Sequence, residues 1–378
     1  LHLNTLKMNL GVPKEIKPQE SRVAITPAGV RELIAQNCTV NVQKSAGELS
    51  HFSDEMYEQA GAKILPDAAA VYEKSDLIVK VKEPLPEEYT LIKSHHTVFT
   101  YFHFAASQSL TEAMQDSKAT CIAYETIQEG RQLPLLTPMS EVAGRLATQQ
   151  GAKYLENAFG GAGVLMGGVP GTPPAEVLVL GGGVAGTQAA LVAAGMGANV
   201  MILDTNLNRL RQLSEMMPAN VQALFSSAAV IEKQIARCHL IIGTVLIPGD
   251  RAPKLITRAM LSKMQKGTVM VDVAIDQGGC FETSEPTTHQ DPIRIIDGIV
   301  HYAVTNMPGA VPQTATAALT NATLPYVKQL ASKGWKAACE SNPSLSGGLS
   351  LVNGQVLNKE IARLFDKKHT PLQEILNF

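Results

Sequence analysis

The stretch from Val177 to Leu203 carries no charge, and it constrains the chain more than any other. It reads Val-Leu-Val-Leu, then Gly181-Gly-Gly183-Val-Ala-Gly186, then an Ala-rich segment, Gly197 and a second apolar run that ends at Asp204. Such a run exceeds the roughly 20 apolar residues that span a bilayer. Its glycines, however, fall as punctuation between strand, helix and strand, and an open strand cannot satisfy its backbone in lipid. The pattern predicts a buried strand over Val177–Leu180, a helix over Thr187–Met196 stopped by Gly197, and a strand over Asn199–Leu203. A lone Gly-x-Gly-x-x-Gly also occurs by chance in Gly-rich loops, but here strand, helix and closing acid surround it. Gly181 allows the tight turn, Gly183 lets a pyrophosphate approach, and Gly186 packs helix on strand. The helix N-terminus adds unpaired N–H groups and partial positive charge. Asp204, 18 positions beyond Gly186, stands near the roughly 20-residue offset at which a carboxylate accepts from ribose hydroxyls. The stretch therefore reads as a dinucleotide site. Asp204 favours NAD over NADP because it repels a 2′-phosphate, with Arg209 the nearby cation arguing the other way.

A chain of 378 residues has room for two substantial cores. Its net charge of −2 is dispersed, which gives neither nucleic acid nor an acidic membrane a natural docking surface. Five scattered cysteines (Cys38, Cys121, Cys238, Cys280, Cys339), with no Cys-x-x-Cys, fit free thiols in a reducing cytosol, so the expected location is cytoplasmic. No signal peptide is evident, and Leu1–Lys7 read as an extension or remnant ahead of the first element.

Strands are expected over Met8–Val12, Thr39–Gln43, Lys63–Leu65, Asp76–Val81, Thr97–Phe102 and Thr120–Tyr124. Helices alternate with them: one opened by Thr26-Pro27, then Asp54–Ala60, Asp67–Lys74 and Gln108–Asp116. Alternation of this kind means a mostly parallel sheet covered on both faces. Thr137-Pro138 opens a long helix to about Asn157. After Asp204 the pattern predicts helices Leu207–Met217, Ala228–Ala236 and Thr257–Met264. The strands there are Val221–Phe225, Leu240–Thr244, Val269–Val273, Ile293–Ile296 and Val300–Val304. The residues from Met307 onward are too few for a comfortable core of their own. A long helix after Pro312, interrupted at Pro325, is expected to cross the one at Thr137, and the tail to return to the first domain through a type I′ hairpin at Asn353-Gly354. The expected architecture is α/β: two Rossmann-like domains with mostly parallel sheets, joined by two long crossing helices. Residues 1–136 plus 308–378 would form the substrate (catalytic) domain, and 137–307 the NAD-binding one.

In open α/β sheets ligands sit beyond the carboxyl ends of the strands. That rule selects Arg22 after the first strand, Lys82 after Asp76–Val81, His103 after Thr97–Phe102, and Asp276 after Val269–Val273. All four would face a cleft between the domains. Arginine and lysine beside a nicotinamide suit a small carboxylate or oxo acid, and a histidine titrating near neutrality can exchange the substrate proton. Each has a plainer reading: Arg22 as a solvated loop charge, Lys80 and Lys82 as edge charges, His95-His96 as caps at the wrong end of their strand. Asp272 competes with Asp276 but sits within its strand, where a structural hydrogen bond is the simpler role. No metal-ligand spacing and no Gly-x-Ser-x-Gly elbow is present.

At these residues the sequence resembles the alanine dehydrogenase family from Met8 to Phe378. The matching strings are Gly-Val-Pro-Lys-Glu, Arg22–Pro27, Lys80–Pro84, Met139–Arg145, Val271–Gly279 and Thr305–Pro308. The resemblance implies NAD-dependent conversion of L-alanine to pyruvate and ammonium in a homohexamer. It implies that Arg22 and Lys82 hold the substrate while His103 and Asp276 do the acid–base work. For the cofactor it implies Ser140, Val184, Ala185, Asp204, Arg209, Ser226, Val245, Leu246, Val273, Ala274, Ile275, Asp276, Val304, Thr305, Asn306 and Met307, beside Gly181, Gly183 and Gly186. Glu285 departs from the family pattern, which carries a basic residue near the cofactor, so a contact there is not expected. The same two-domain plan resembles the NAD-binding component of a transhydrogenase, which wants a membrane region or partner chain, and the saccharopine-type dehydrogenases; a protein that senses NADH without turnover is a reading of a different class.

Overall fold

The computed structural model describes residues 8–245 and 252–376. In chain order the strands are β1 (Asn9–Val12), β2 (Thr39–Gln43), β3 (Lys63–Leu65), β4 (Leu77–Val79), β5 (Thr97–Thr100) and β6 (Thr120–Ala123). They continue with β7 (Glu176–Leu180), β8 (Asn199–Asp204), β9 (Val221–Phe225), β10 (Leu240–Gly243), β11 (Val269–Asp272), β12 (Ile293–Ile296) and β13 (Ile299–Tyr302). Two late strands, β14 (Leu349–Val352) and β15 (Gln355–Val356), complete the set. The chain divides into two compact units, residues 1–139 with 311–378, and residues 140–310.

In the first unit the sheet order is β15-β14-β6-β5-β4-β1-β2-β3. Read from β3, its first six strands follow the order 3-2-1-4-5-6, all pairs parallel, with β14 and β15 added antiparallel. β1 is central and parallel to both β2 and β4, pairing Leu10 with Val40 and with Leu77. The buried apolar residues of these strands are those of a sheet covered on both faces. The C-terminal tail is part of this core: Leu351, Val356 and Ile361 join Ile78, Val98, Phe102 and Cys121. Its hairpin turn has positive φ at both Asn353 and Gly354, as a type I′ turn requires.

The second unit repeats the plan with β12-β13-β11-β10-β7-β8-β9, parallel except for β12 against β13. Its core gathers Leu178, Leu180, Leu203, Ile241, Met270 and Phe281.

Three local expectations change. The helix after the glycine turn spans Val184–Gly195, beginning three residues before Thr187. Gly186 is thus a helical residue rather than part of the turn, and it is glycine because an added Cβ would stand 1.8 Å from the Gly181 carbonyl oxygen. The helix Pro312–Ser341 runs through Pro325 and breaks at Gly334, whose φ of 73° and ψ of 160° are non-helical. One missing N–H is tolerated where Leu319, Tyr326, Val327 and Leu330 bury the surrounding turns, whereas a left-handed φ ends the ladder. Finally, Arg258–Lys263 forms a 3₁₀ segment rather than an α-helix.

Candidate functional site

In each sheet the strand order reverses between two adjacent parallel strands, β1 and β4 in the first unit, β7 and β10 in the second. At such a reversal in an open parallel sheet the carboxyl ends of the two strands open a crevice.

In the first unit Arg22 follows β1, Lys82 follows β4 and His103 follows β5. Arg22 is not a solvated loop charge: it is only 2% exposed. Its Nε donates to Glu20 Oε1 at 2.7 Å and its Nη2 to Glu20 Oε2 at 2.6 Å. Its backbone N–H donates to the same carboxylate at 3.0 Å, and Nη1 reaches Met139 Sδ at 2.9 Å. Burial alone would raise the Glu20 pKa, but the hydrogen bonds and charge of Arg22 overcome it and hold Glu20 down at about 2. Arg22 itself is pushed up by Glu20 against the desolvation that would lower it.

Lys82 is half-buried. Among the described residues no hydrogen bond or ion pair holds its ammonium. Burial first, and then the Arg22 charge, lower its pKa, against the pull of Glu20. His103 has a left-handed backbone, φ 50° and ψ 41°, and an exposed side chain. Glu125 fixes that turn by accepting from the backbone N–H groups of Phe102 at 3.2 Å and His103 at 2.6 Å. The imidazole stacks on Tyr101 with ring centres 5.9 Å apart and planes 13° from parallel. Desolvation by surrounding protein lowers its pKa; Glu125 opposes this and Lys82 reinforces it. Lys82 thus bears electrostatically on both Arg22 and His103.

Beneath these residues lies a cluster that the sequence reading missed. Lys80 is fully buried, 2.9 Å from Glu88 Oε1 and 3.3 Å from Glu15 Oε2, and is no edge charge. Tyr72 donates to Glu88 at 3.0 Å, and Glu15 accepts the Val81 N–H at 2.6 Å. A lysine ending the apolar run Leu-Ile-Val was the available signal, since a charge there must be paired. Glu20 and Glu125 had none, because carboxylates in loops are ordinarily solvated. His96 is structural, its Nδ1 accepting from the Lys93 N–H.

In the second unit Gly181 has φ of 101°, and a Cβ there would meet Thr244 Oγ1 at 2.9 Å. Thr244 Oγ1 in turn donates to the Leu180 and Gly181 carbonyls. A Cβ on Gly183 would meet nothing within 4 Å. This is open space at a helix N-terminus, the cradle a pyrophosphate needs. Asp204 accepts the Gly182 N–H at 2.8 Å and the Asn206 N–H at 2.8 Å. Arg209, weighed above as a possible phosphate contact, donates instead to Gly182 O and Thr187 Oγ1, both at 2.7 Å, and to Gln212. Its guanidinium thereby braces the glycine turn. These residues fit a dinucleotide.

Val273–Asp276 follow β11 and Val304–Met307 follow β13, both at carboxyl ends. Asp276 is exposed and accepts the Asn306 N–H at 3.4 Å. Asp272 is buried and accepts from the Cys280 and Phe281 N–H groups, the structural role foreseen for it. Ser140 and Ser226 are half-buried, as is Val245, whose carbonyl accepts from Cys280 Sγ. Glu285 is exposed. Leu246 lies outside the described residues. Among the described residues no group of three or more His, Cys, Asp or Glu is placed to hold a metal, and no helix is long and apolar enough to cross a membrane.

The family description "Alanine dehydrogenase/PNT, N-terminal domain" matches residues 11–143, and "Alanine dehydrogenase/PNT, C-terminal domain" matches residues 147–359. The sequence is 51% identical over 371 residues to an alanine dehydrogenase of Halomonas elongata, covering 98% of this chain and 100% of that one. A solved L-alanine dehydrogenase superposes with a TM-score of 0.92 at 48% identity, covering 95% of this chain and 99% of the other. A transhydrogenase from Sinorhizobium meliloti superposes with a TM-score of 0.80 at 26% identity, covering 93% and 99%.

Proposed function

The chain belongs to the alanine dehydrogenase/PNT family, and from that premise we propose that it oxidises L-alanine with NAD and water to pyruvate, ammonium, NADH and a proton, and runs the reverse reductive amination. Full-length identity near one half to an alanine dehydrogenase, against about a quarter to a transhydrogenase, favours this reading over the transhydrogenase component. The observation that carries it is Lys82, an ammonium without an ion pair among the described residues, beside Arg22 and His103 at the strand ends of the first unit. A non-catalytic NADH sensor would have no use for that group.

Gly183 would admit the pyrophosphate, with Gly181 and Gly186 shaping the turn that presents it; Asp204 would hold the adenosine ribose, and Ser140, Val184, Ala185, Ser226, Val245, Leu246, Val273–Asp276 and Val304–Met307 the rest of the cofactor, with Arg209 behind the turn. Bound NAD would supply the hydride acceptor for the alanine Cα. Arg22 and Lys82 hold the substrate carboxylate and the developing carbonyl oxygen. As a base His103 would act in its neutral form, which the lowering of its pKa favours. His103 or Asp276 takes the proton of the attacking water and returns one to the departing ammonia. The working form is a cytoplasmic homohexamer. Residues 1–136 with 308–378 serve the substrate, and 137–307 the cofactor.

The test is a spectrophotometric assay for NADH formed from L-alanine, with glycine and other small amino acids beside it, and size-exclusion chromatography with light scattering for the hexamer. NADH binding without turnover of any amino acid would defeat the enzymatic reading.

A further inference from the structure

We propose that Glu20 is a positioning residue of the substrate pocket, acting through Arg22: it fixes the plane of the guanidinium and trims the pocket to a single positive charge. The inference rests on the reading that Arg22 and Lys82 hold the substrate carboxylate.

The geometry carries it. Three donors of one residue, the backbone N, Nε and Nη2 of Arg22, converge on one carboxylate at 3.0, 2.7 and 2.6 Å. Both side chains are buried, at 2% and 0% exposure. A bidentate pair of planar groups shares one plane, so Glu20 decides which edge of Arg22 turns toward Met139 Sδ and which is spent. Charge follows from the same contact. Arg22, Lys82 and Glu20 together leave one positive charge, which matches one carboxylate. The charged groups bearing on Lys82 are Arg22, Glu20, Lys17 and Glu83, and Lys82 bears in turn on His103. Neutralising Glu20 removes a group that favours the charged ammonium.

The experiment is a cycle of Glu20→Gln, Arg22→Met and the double variant in the full-length protein. Its readouts are pyruvate KM and kcat across pH, the NADH dissociation constant, and thermal melting. Glu20→Gln places an amide N–H₂ against Arg22 Nη2 and frees the guanidinium. Pyruvate KM is expected to rise about tenfold with a smaller change in kcat and unchanged NADH binding. The alkaline limb of kcat/KM should move to lower pH, whereas in Arg22→Met it should move to higher pH. The double variant should match Arg22→Met in pyruvate KM. That comparison does not depend on Glu20→Gln folding alone, and thermal melting of Arg22→Met reports what the buried Glu20 loses without its partner. An unchanged pyruvate KM in Glu20→Gln, or a double variant worse than Arg22→Met, overturns the inference. A lower KM in Glu20→Gln overturns it too, and would make Glu20 a competitor of the substrate. A wild-type KM in Arg22→Met would instead remove the substrate reading on which the inference stands.

Discussion

His103 and Lys80 show how differently two charged residues at strand ends are used. His103 stands exposed on a left-handed turn held by Glu125, stacked on Tyr101. A side chain presented to solvent by a fixed backbone is available to substrate, and its loss should fall on chemistry. Replacing His103 by Ala should lower kcat by roughly 10²–10⁴-fold, the usual range for a general acid–base group, while NADH affinity measured by fluorescence titration stays near wild type; equal losses in both would count against the role. Lys80 is the opposite case, enclosed between Glu15 and Glu88. Replacing it by Met leaves two buried carboxylates without their cation and should cost roughly 3–5 kcal/mol of stability in urea unfolding. A cost below 1 kcal/mol would mean that the acids are protonated in the native state.

The glycine turn between β7 and its helix is an element whose three glycines answer to different neighbours. Gly186 faces protein, with the Gly181 carbonyl where a Cβ would go, while Gly183 faces open space. Alanine at 186 should therefore unfold the turn and lower the melting temperature. Alanine at 183 should leave melting unchanged and weaken NADH about tenfold or more, since only the ligand meets the added methyl. If Gly183→Ala binds NADH normally, the pyrophosphate does not lie there. The pairing of Asp204 with the Gly182 N–H and of Arg209 with the Gly182 carbonyl braces the element from behind. The helix Pro312–Ser341 shows the converse, in which buried side chains carry a helix past a proline.

Across the whole molecule both units share a pH liability. His96 in the first unit, and His239 and His301 in the second, have pKa values lowered from 6.5 by burial. His96 Nδ1 already accepts the Lys93 N–H and His239 Nδ1 the Glu176 N–H, so a second ring proton would oppose a fixed donor. A histidine with a depressed native pKa contributes stability that is complete above its unfolded pKa and lost as pH falls from about 6.5 through the native value. Unfolding free energy should thus decline below pH 6.5 in denaturant titrations. Replacing His96 by Gln should flatten the slope; an unaltered slope would show that the native site takes up its proton as readily as the unfolded chain.

Much of this was legible in the chain, because period, glycine spacing and strand-end position are local properties. Val177–Asp204 announces its strand–turn–helix–strand in consecutive residues, and the rule that ligands gather at carboxyl ends picked out Arg22, Lys82, His103 and Asp276 without coordinates. Whether a charge is solvated or buried is not local. Nothing within the run Val-Lys80-Val-Lys82 separates the lysine locked between two acids from the one with no ion pair among the described residues. Only the sheet, which brings Glu15 and Glu88 against one and leaves the other at the crevice, decides that. The same holds for Glu20, whose carboxylate becomes part of the site only when folding excludes water from around Arg22, so that a hydrogen-bonded pair prevails over two hydrated ions.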